Sequence, residues 1–242
     1  MSITATRLYR DAGNFFLHQW VTVLLIALLT AFVCVLINYV LSPDSHVLSQ
    51  LINSGSSQTL YDTLNHMTRE QRNLLLGETV AYSTAKLLGN TLLIGSMLTL
   101  IAQASTGKPI STLNMLRLSV SRLPGLLLLI IIMSVAVNIG MFMLLLGIIL
   151  FMLLVFTPII FFEEKKGILD SMQQSVTLAW QNKQLVASTV LLWFAANYFL
   201  ARLIPSVLFM TPDISSMLGI TLGNMLSALL IIYLYRLYML AR

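Results

Sequence analysis

From Leu123 to Phe162 the chain carries no charged side chain; Arg122 and Glu163 bracket the run. As one helix, these residues would span about 60 Å, twice the roughly 30 Å hydrocarbon core of a bilayer. The run is too apolar for water and too long for a single crossing, so it must fold back on itself. Asn138, Gly140 and Gly147 are the available breakers, which puts the turn near 143–147. Lys108, Arg117 and Arg122 precede the run and Lys165 and Lys166 follow it. Basic flanks prefer one side of the membrane, so the number of crossings between them is even.

The rest of the chain is of the same kind. Of its 242 residues 57% are hydrophobic and 10% charged, against about 25% charged in soluble domains. Several runs reach the length of a bilayer crossing, and lipid tolerates only helices or closed barrels. A barrel strand alternates apolar and polar residues, whereas Gly125 to Met133 is apolar throughout. The expectation is therefore an all-α polytopic membrane protein forming one membrane domain. Its net charge of +5 comes from scattered residues with no basic run beyond Lys165-Lys166, which argues against nucleic acid as a partner. Membrane lipids and other inner-membrane proteins are the partners expected. A lone Cys34 excludes an intrachain disulfide or a cysteine metal cluster.

In order, the expected elements begin with an interfacial helix over 1–19. On it Ala5, Leu8, Tyr9, Ala12, Phe15 and Phe16 share one arc, opposite Thr6, Arg7, Arg10 and Asp11. Spans follow at 20–41, uncleaved, and at 80–103, separated by a polar periplasmic loop over 42–79. In that loop Thr68 and Gln71 have the spacing of a capping box that starts a helix leading into the second span. A cytoplasmic loop with an amphipathic helix occupies 104–122. Spans at 123–142 and 147–162 enclose a tight periplasmic turn at 143–146. A second cytoplasmic amphipathic helix lies within 163–184, with Ile168, Leu169, Met172, Val176, Ala179 and Trp180 on its apolar arc. Asp170, Ser171, Gln173, Gln174, Thr177 and Gln181 face away. Spans at 185–204 and 215–236 frame a periplasmic turn at 205–214, and a tail at 237–242 ends the chain.

With both termini in the cytoplasm, the inner side holds Arg7, Arg10, Lys108, Arg117, Arg122, Lys165, Lys166, Lys183, Arg236 and Arg242. The outer side holds only Arg69, Arg72, Lys86 and Arg202. That asymmetry follows the positive-inside rule and predicts an inner-membrane protein of three hairpins, each preceded by a cytoplasmic amphipathic helix. The spans at 80–103 and 215–236 also share a pattern: Leu88-Gly89-Asn90-x-Leu92 matches Leu222-Gly223-Asn224-x-Leu226. Small residues four apart allow close helix approach. Gly89, Asn90, Gly219, Gly223, Asn224 and Ser227 are accordingly candidate helix-packing residues, with Asn90 and Asn224 as interhelical hydrogen-bonders. Chance similarity in a leucine-rich chain is the plain alternative.

Chemistry is sparse. The span interiors contain no Asp, Glu or His, and the histidines (His18, His46, His66) have no metal-binding spacing. Lys86 and Arg202 are the intramembrane cations. Snorkelling to the outer interface is the ordinary reading; a shared site for an anionic headgroup or solute is the functional one. Asn38, Asn138 and Asn197 read as helix–helix hydrogen-bonders, and Trp193 as core packing. No cofactor, metal or catalytic group is implied.

Tyr9-Arg-Asp-Ala-Gly-Asn-Phe-Phe16, the stretch Gly167 to Asn182 and Tyr233-Leu-Tyr-Arg-Leu-Tyr-Met239 resemble the YciC-type family of uncharacterised enterobacterial inner-membrane proteins. The resemblance covers the whole chain and carries no mechanism or site residue with it. A second likeness, from Thr157-Pro158 through Glu163, Gly167, Ser175 and Asn182, is to the membrane region attached to some glycerophosphodiester phosphodiesterases. It implies a shared membrane module, since a catalytic barrel has no room here. The expectation is a non-enzymatic accessory or partner-binding protein of the cell envelope. A transporter, channel or lipid-handling protein is the alternative.

Overall fold

The computed structural model describes residues 5–42, 68–104, 123–141, 145–207 and 212–241. Among them are helices α1 (Ala5–His18), α2 (Trp20–Leu41), α3 (Arg69–Ala104) and α4 (Leu123–Met141). Then come α5 (Leu145–Leu154), α6 (Thr157–Glu164), α7 (Ile168–Gln181), α8 (Lys183–Val207) and α9 (Pro212–Ala241). Among the described residues six helices are long and apolar enough to cross a membrane, α5 and α6 together supplying one of them. The amphipathic helix expected within 104–122, most of the loop at 42–79, and positions 143 and 144 of the central turn lie outside the described residues.

Local chemistry sets several boundaries. The Thr68 amide donates to Gln71 Oε1 at 2.9 Å and the Gln71 amide to Thr68 Oγ1 at 3.3 Å. This capping box satisfies two of the amides that a helix start leaves free. The helix therefore begins at Arg69, well ahead of the apolar stretch that opens near Val80. At the end of α6, Lys165 takes a left-handed conformation with φ 52, and the chain reverses into α7.

Consecutive long helices pack in antiparallel pairs. On α2 and α3, Cys34 meets Gly89 and Ser42 meets Glu78. On α8 and α9, Asn197 faces Gly223 and Ile204 faces Gly219. Between α4 and α5 the backbones touch: a Cβ on Gly140 would lie 2.9 Å from the Gly147 Cα. Glycine at both positions permits that approach. Helix α9 ties the pairs together by packing on α1, α2, α3 and α8. The main core draws Leu8, Ile26, Met97, Phe156, Val190 and Tyr233 from six different parts of the chain.

Two expectations about faces change. The apolar arc of α1 meets protein, where a helix resting on the bilayer would present it to lipid. Leu8 and Ala12 are buried, the Tyr9 ring lies tilted against that of Tyr233 with centroids 4.8 Å apart, and the Tyr9 hydroxyl lies 2.9 Å from Thr189 Oγ1. On α7 the buried stripe is Ser171, Ser175 and Ala179; Ser171, expected to face away, points inward. Leu169 is 74% and Trp180 65% exposed. Small side chains let α7 sit close against the α5–α6 span, while Leu169, Val176 and Trp180 turn outward.

That span is broken at Val155–Phe156, a feature not anticipated. Pro158 has no amide to donate and its ring crowds the preceding turn, and the helix lapses there into a turn. Ser175 repairs the gap. The Phe156 amide donates to Ser175 Oγ at 3.2 Å, and the same hydroxyl donates to the Leu153 carbonyl at 2.7 Å.

Candidate functional site

Lys86 and Arg202 each sit beside a tyrosine of their own helix. Lys86 Nζ lies over the Tyr82 ring at 5.2 Å, and the Arg202 guanidinium over the Tyr198 ring at 5.7 Å. Each cation thus uses the tyrosine one helical turn before it. Their helices, α3 and α8, share no extended interface, and both side chains are exposed. Such Tyr–cation pairs suit a membrane–water boundary, where the ring is apolar and the charge stays wet.

The small-residue positions divide. Gly89 is a contact glycine: a methyl group there would collide with Cys34 Sγ, which itself donates to the Ala85 carbonyl at 3.4 Å. Gly219 and Gly223 are looser, with Ile204 Cδ1 at 3.6 Å and Asn197 Oδ1 at 3.5 Å from a built Cβ. The two matched stretches therefore do not present equivalent faces.

The asparagines divide as well. Asn224 Nδ2 donates across to α2, to Thr30 Oγ1 at 3.0 Å and the Ala27 carbonyl at 3.3 Å. Asn90, its counterpart in the pattern, is exposed. Ser227 donates to Gly223 of its own helix at 2.9 Å. Asn138 and Asn197 likewise bond the carbonyls of Ser134 and Trp193 one turn back, so they are not the interhelical links expected. Asn38 Oδ1 is buried with no hydrogen-bond partner. Trp193 does pack in the core, stacked on Phe151 with centroids 5.7 Å apart.

The polar chemistry gathers at the end of the bundle where α6 and α9 finish. Tyr235 donates to Glu163 at 2.8 Å and Tyr238 to Glu164 at 2.6 Å. Lys166 pairs with Glu164 at 2.5 Å, and Gln174 bridges the two. Arg236 lies over Phe15, 5.9 Å from its ring. In the sequence these tyrosines carry only a family likeness; their spacing near the end of a span is the signal that points to them. Both carboxylates are occupied as acceptors, an arrangement that ties α6 to α9. Among the described residues, no three His, Cys, Asp or Glu side chains converge on a possible metal position.

Between α8 and α9 lies an apolar groove of about 510 Å³. Phe199 and Leu203 line it from α8, Leu222 and Met225 from α9, and Phe16 from α1. All its lining residues are apolar. Helix α7 presents Leu169, Val176 and Trp180 outward, with Lys183 Nζ 5.5 Å from the Trp180 ring.

The family model that matches, over residues 1–240, is described as an uncharacterised protein family, UPF0259. A relative from Serratia proteamaculans (strain 568), named UPF0259 membrane protein, is 37% identical over the full length of both chains. One of the same name from Yersinia pestis (strain Pestoides F) is 39% identical, covering all of this chain and 97% of the relative. No solved structure matches the chain.

Proposed function

Since the chain belongs to the UPF0259 family of membrane proteins and has six helices able to cross a bilayer, we propose that it is a non-enzymatic accessory protein of the inner membrane. It binds partners and lipids through its outward-facing helices. Six spans form three hairpins with both termini in the cytoplasm, supported by the uneven distribution of Lys and Arg. Exposed aromatics at the span ends support the same placement: Trp20 and Trp180 on the proposed inner side, Tyr39, Tyr82 and Tyr198 on the outer.

The observation that carries the partner-binding reading is the orientation of α7. Its small residues are spent on docking, while Leu169, Val176 and Trp180 remain exposed beside Lys183. An exposed apolar stripe rimmed by charge is a contact surface. The test is photo-crosslinking in native membranes from a reactive residue placed at Trp180, with Leu98, which is fully buried, as the control position. A discrete protein adduct from position 180 that disappears on Leu169→Ser supports the reading. Lipid adducts alone overturn it. Lipid handling is the second reading, favoured by the apolar groove between α8 and α9.

A further inference from the structure

We propose that the outward face of α3 from Thr79 to Asn90 is a docking site for a membrane-spanning helix of a partner protein. That helix carries a carboxylate at the level of Lys86 and a hydrogen-bonding side chain at the level of Asn90. The inference deepens the partner-binding reading by naming a second contact and its chemistry. Thr79, Ser83, Lys86 and Asn90 fall within about 60° of arc on the helix, and all four are exposed. Beyond Asn90 the helix is enclosed: Thr91, Leu93 and every residue from Gly95 to Ile101 are buried. A polar stripe thus enters from one end of α3 and stops where the packed bundle begins.

On the crossing expected over 80–103, Lys86 lies about 9 Å and Asn90 about 15 Å from the outer end, the second near the middle of a roughly 30 Å hydrocarbon core. Lipid offers an amide no hydrogen bond at that depth. Lys86 reaches outward over Tyr82; the Asn90 side chain is too short to do so. Comparable amides are satisfied within the protein, Asn224 by α2 and Asn138 and Asn197 by carbonyls of their own helices. Among the described residues nothing serves Asn90 in this way.

The charge of the stripe identifies what covers it. An ammonium has three donors, and one ring face engages at most one of them, so Lys86 calls for an anion at its own level. A second copy of this chain does not supply it: the span interiors hold no Asp or Glu, and a symmetric pair would set Lys86 against Lys86. A headgroup phosphate stays at the interface and does not reach Asn90. A helix with Asp or Glu opposite Lys86 and an amide or hydroxyl opposite Asn90 satisfies both, through the interhelical hydrogen bonds on which membrane helices rely for association.

The experiment reconstitutes the full chain in phosphatidylcholine vesicles with a leucine-rich spanning peptide of about 22 residues. The peptide carries Glu at the level of Lys86, Gln one turn deeper and a photoreactive diazirine beside the Glu; an all-leucine peptide is the control. The Glu peptide should bind about ten-fold more tightly than the control and label α3 between Tyr82 and Asn90. Lys86→Gln and Asn90→Leu should each remove most of that difference. Lys86→Glu should turn the preference towards a peptide with Lys in place of Glu, a reversal that misfolding cannot produce. Equal binding of the two peptides, a Glu preference that survives Lys86→Gln, or adducts on other helices would overturn the proposal. So would crosslinks between copies of the chain through this face. Because the α7 test reads adducts at Trp180, either contact can fail without the other.

Discussion

Cys34 and Gly89 meet so closely that the sulfur occupies the space a side chain at position 89 would need. The contact fixes how α2 and α3 cross, with Ala81 and Ala85 buried along the same helix. Gly89→Ala is expected to destabilise the protein by about 1–3 kcal/mol, the usual cost of overpacking. Thermal unfolding in detergent should show it, and Cys34→Ala should restore most of the loss. Gly223→Ala, with Asn197 at ordinary contact distance, should change little. Equal effects at Gly89 and Gly223 would refute the distinction.

Cys34 is the chain's single cysteine and is buried, so thiol labelling reports this interface alone. A maleimide should label the folded protein slowly and the denatured protein fully. Gly89→Leu should raise the folded-state rate towards the denatured one. Fast labelling of the unaltered protein would show that α2 and α3 part readily.

Asn224 bridges α9 to α2, whereas Asn90 does not bridge. Asn224→Leu should cost about 0.6–2 kcal/mol, the range for hydrogen bonds between membrane helices. A double-mutant cycle with Thr30→Val should recover most of that as coupling. Asn90→Leu should be near neutral. Absence of coupling between Asn224 and Thr30 would mean that the bond contributes nothing to stability.

Ser175→Ala should leave the Phe156 amide and the Leu153 carbonyl without their hydroxyl partner, at a cost of about 1–3 kcal/mol. Hydrogen exchange at the Phe156 amide should rise in the variant while amides of α2 stay protected. Unchanged exchange would mean that another group takes over the role.

Tyr238→Phe removes the hydroxyl that reaches Glu164, and Tyr235→Phe the one that reaches Glu163. Each should loosen α9 from α6, lowering the unfolding temperature by a few degrees if each bond is worth about 1.5–3 kcal/mol. The pair together should not exceed the sum. Protease sensitivity near Lys165 provides an independent reading, and no change in either variant would show that these bonds do not tether α6.

The number of apolar helices was legible because it follows from length, charge and hydropathy, properties each segment carries alone. The capping box at Thr68 and Gln71 was legible for the same reason. Which face of a helix meets protein was not. On α1 and α7 periodicity marks an apolar arc, yet α1 buries its arc against protein while α7 buries Ser171, Ser175 and Ala179 and turns Leu169, Val176 and Trp180 outward; periodicity does not distinguish a lipid neighbour from a protein one. Asn90 and Asn224 share a local pattern and differ in fate, since only the second has a threonine opposite. The break at Val155–Phe156 had a sequence signal in Pro158, but its repair by Ser175 is a tertiary event. The groove arises from the spacing of α8 and α9, which no single segment encodes.

The Ser175 splice has a consequence for the order in which the chain is made. The broken turn at Phe156 leaves the ribosome 19 residues before the serine that completes it. At about 5–20 residues per second of synthesis, that interval is one to a few seconds. Until α7 emerges and docks, the α5–α6 segment, long and apolar enough to cross a membrane, holds a backbone amide and carbonyl that nothing in lipid can satisfy. Its final settling therefore waits on a helix that does not itself cross, and a nascent chain halted between the two positions should be the point at which insertion is easiest to reverse.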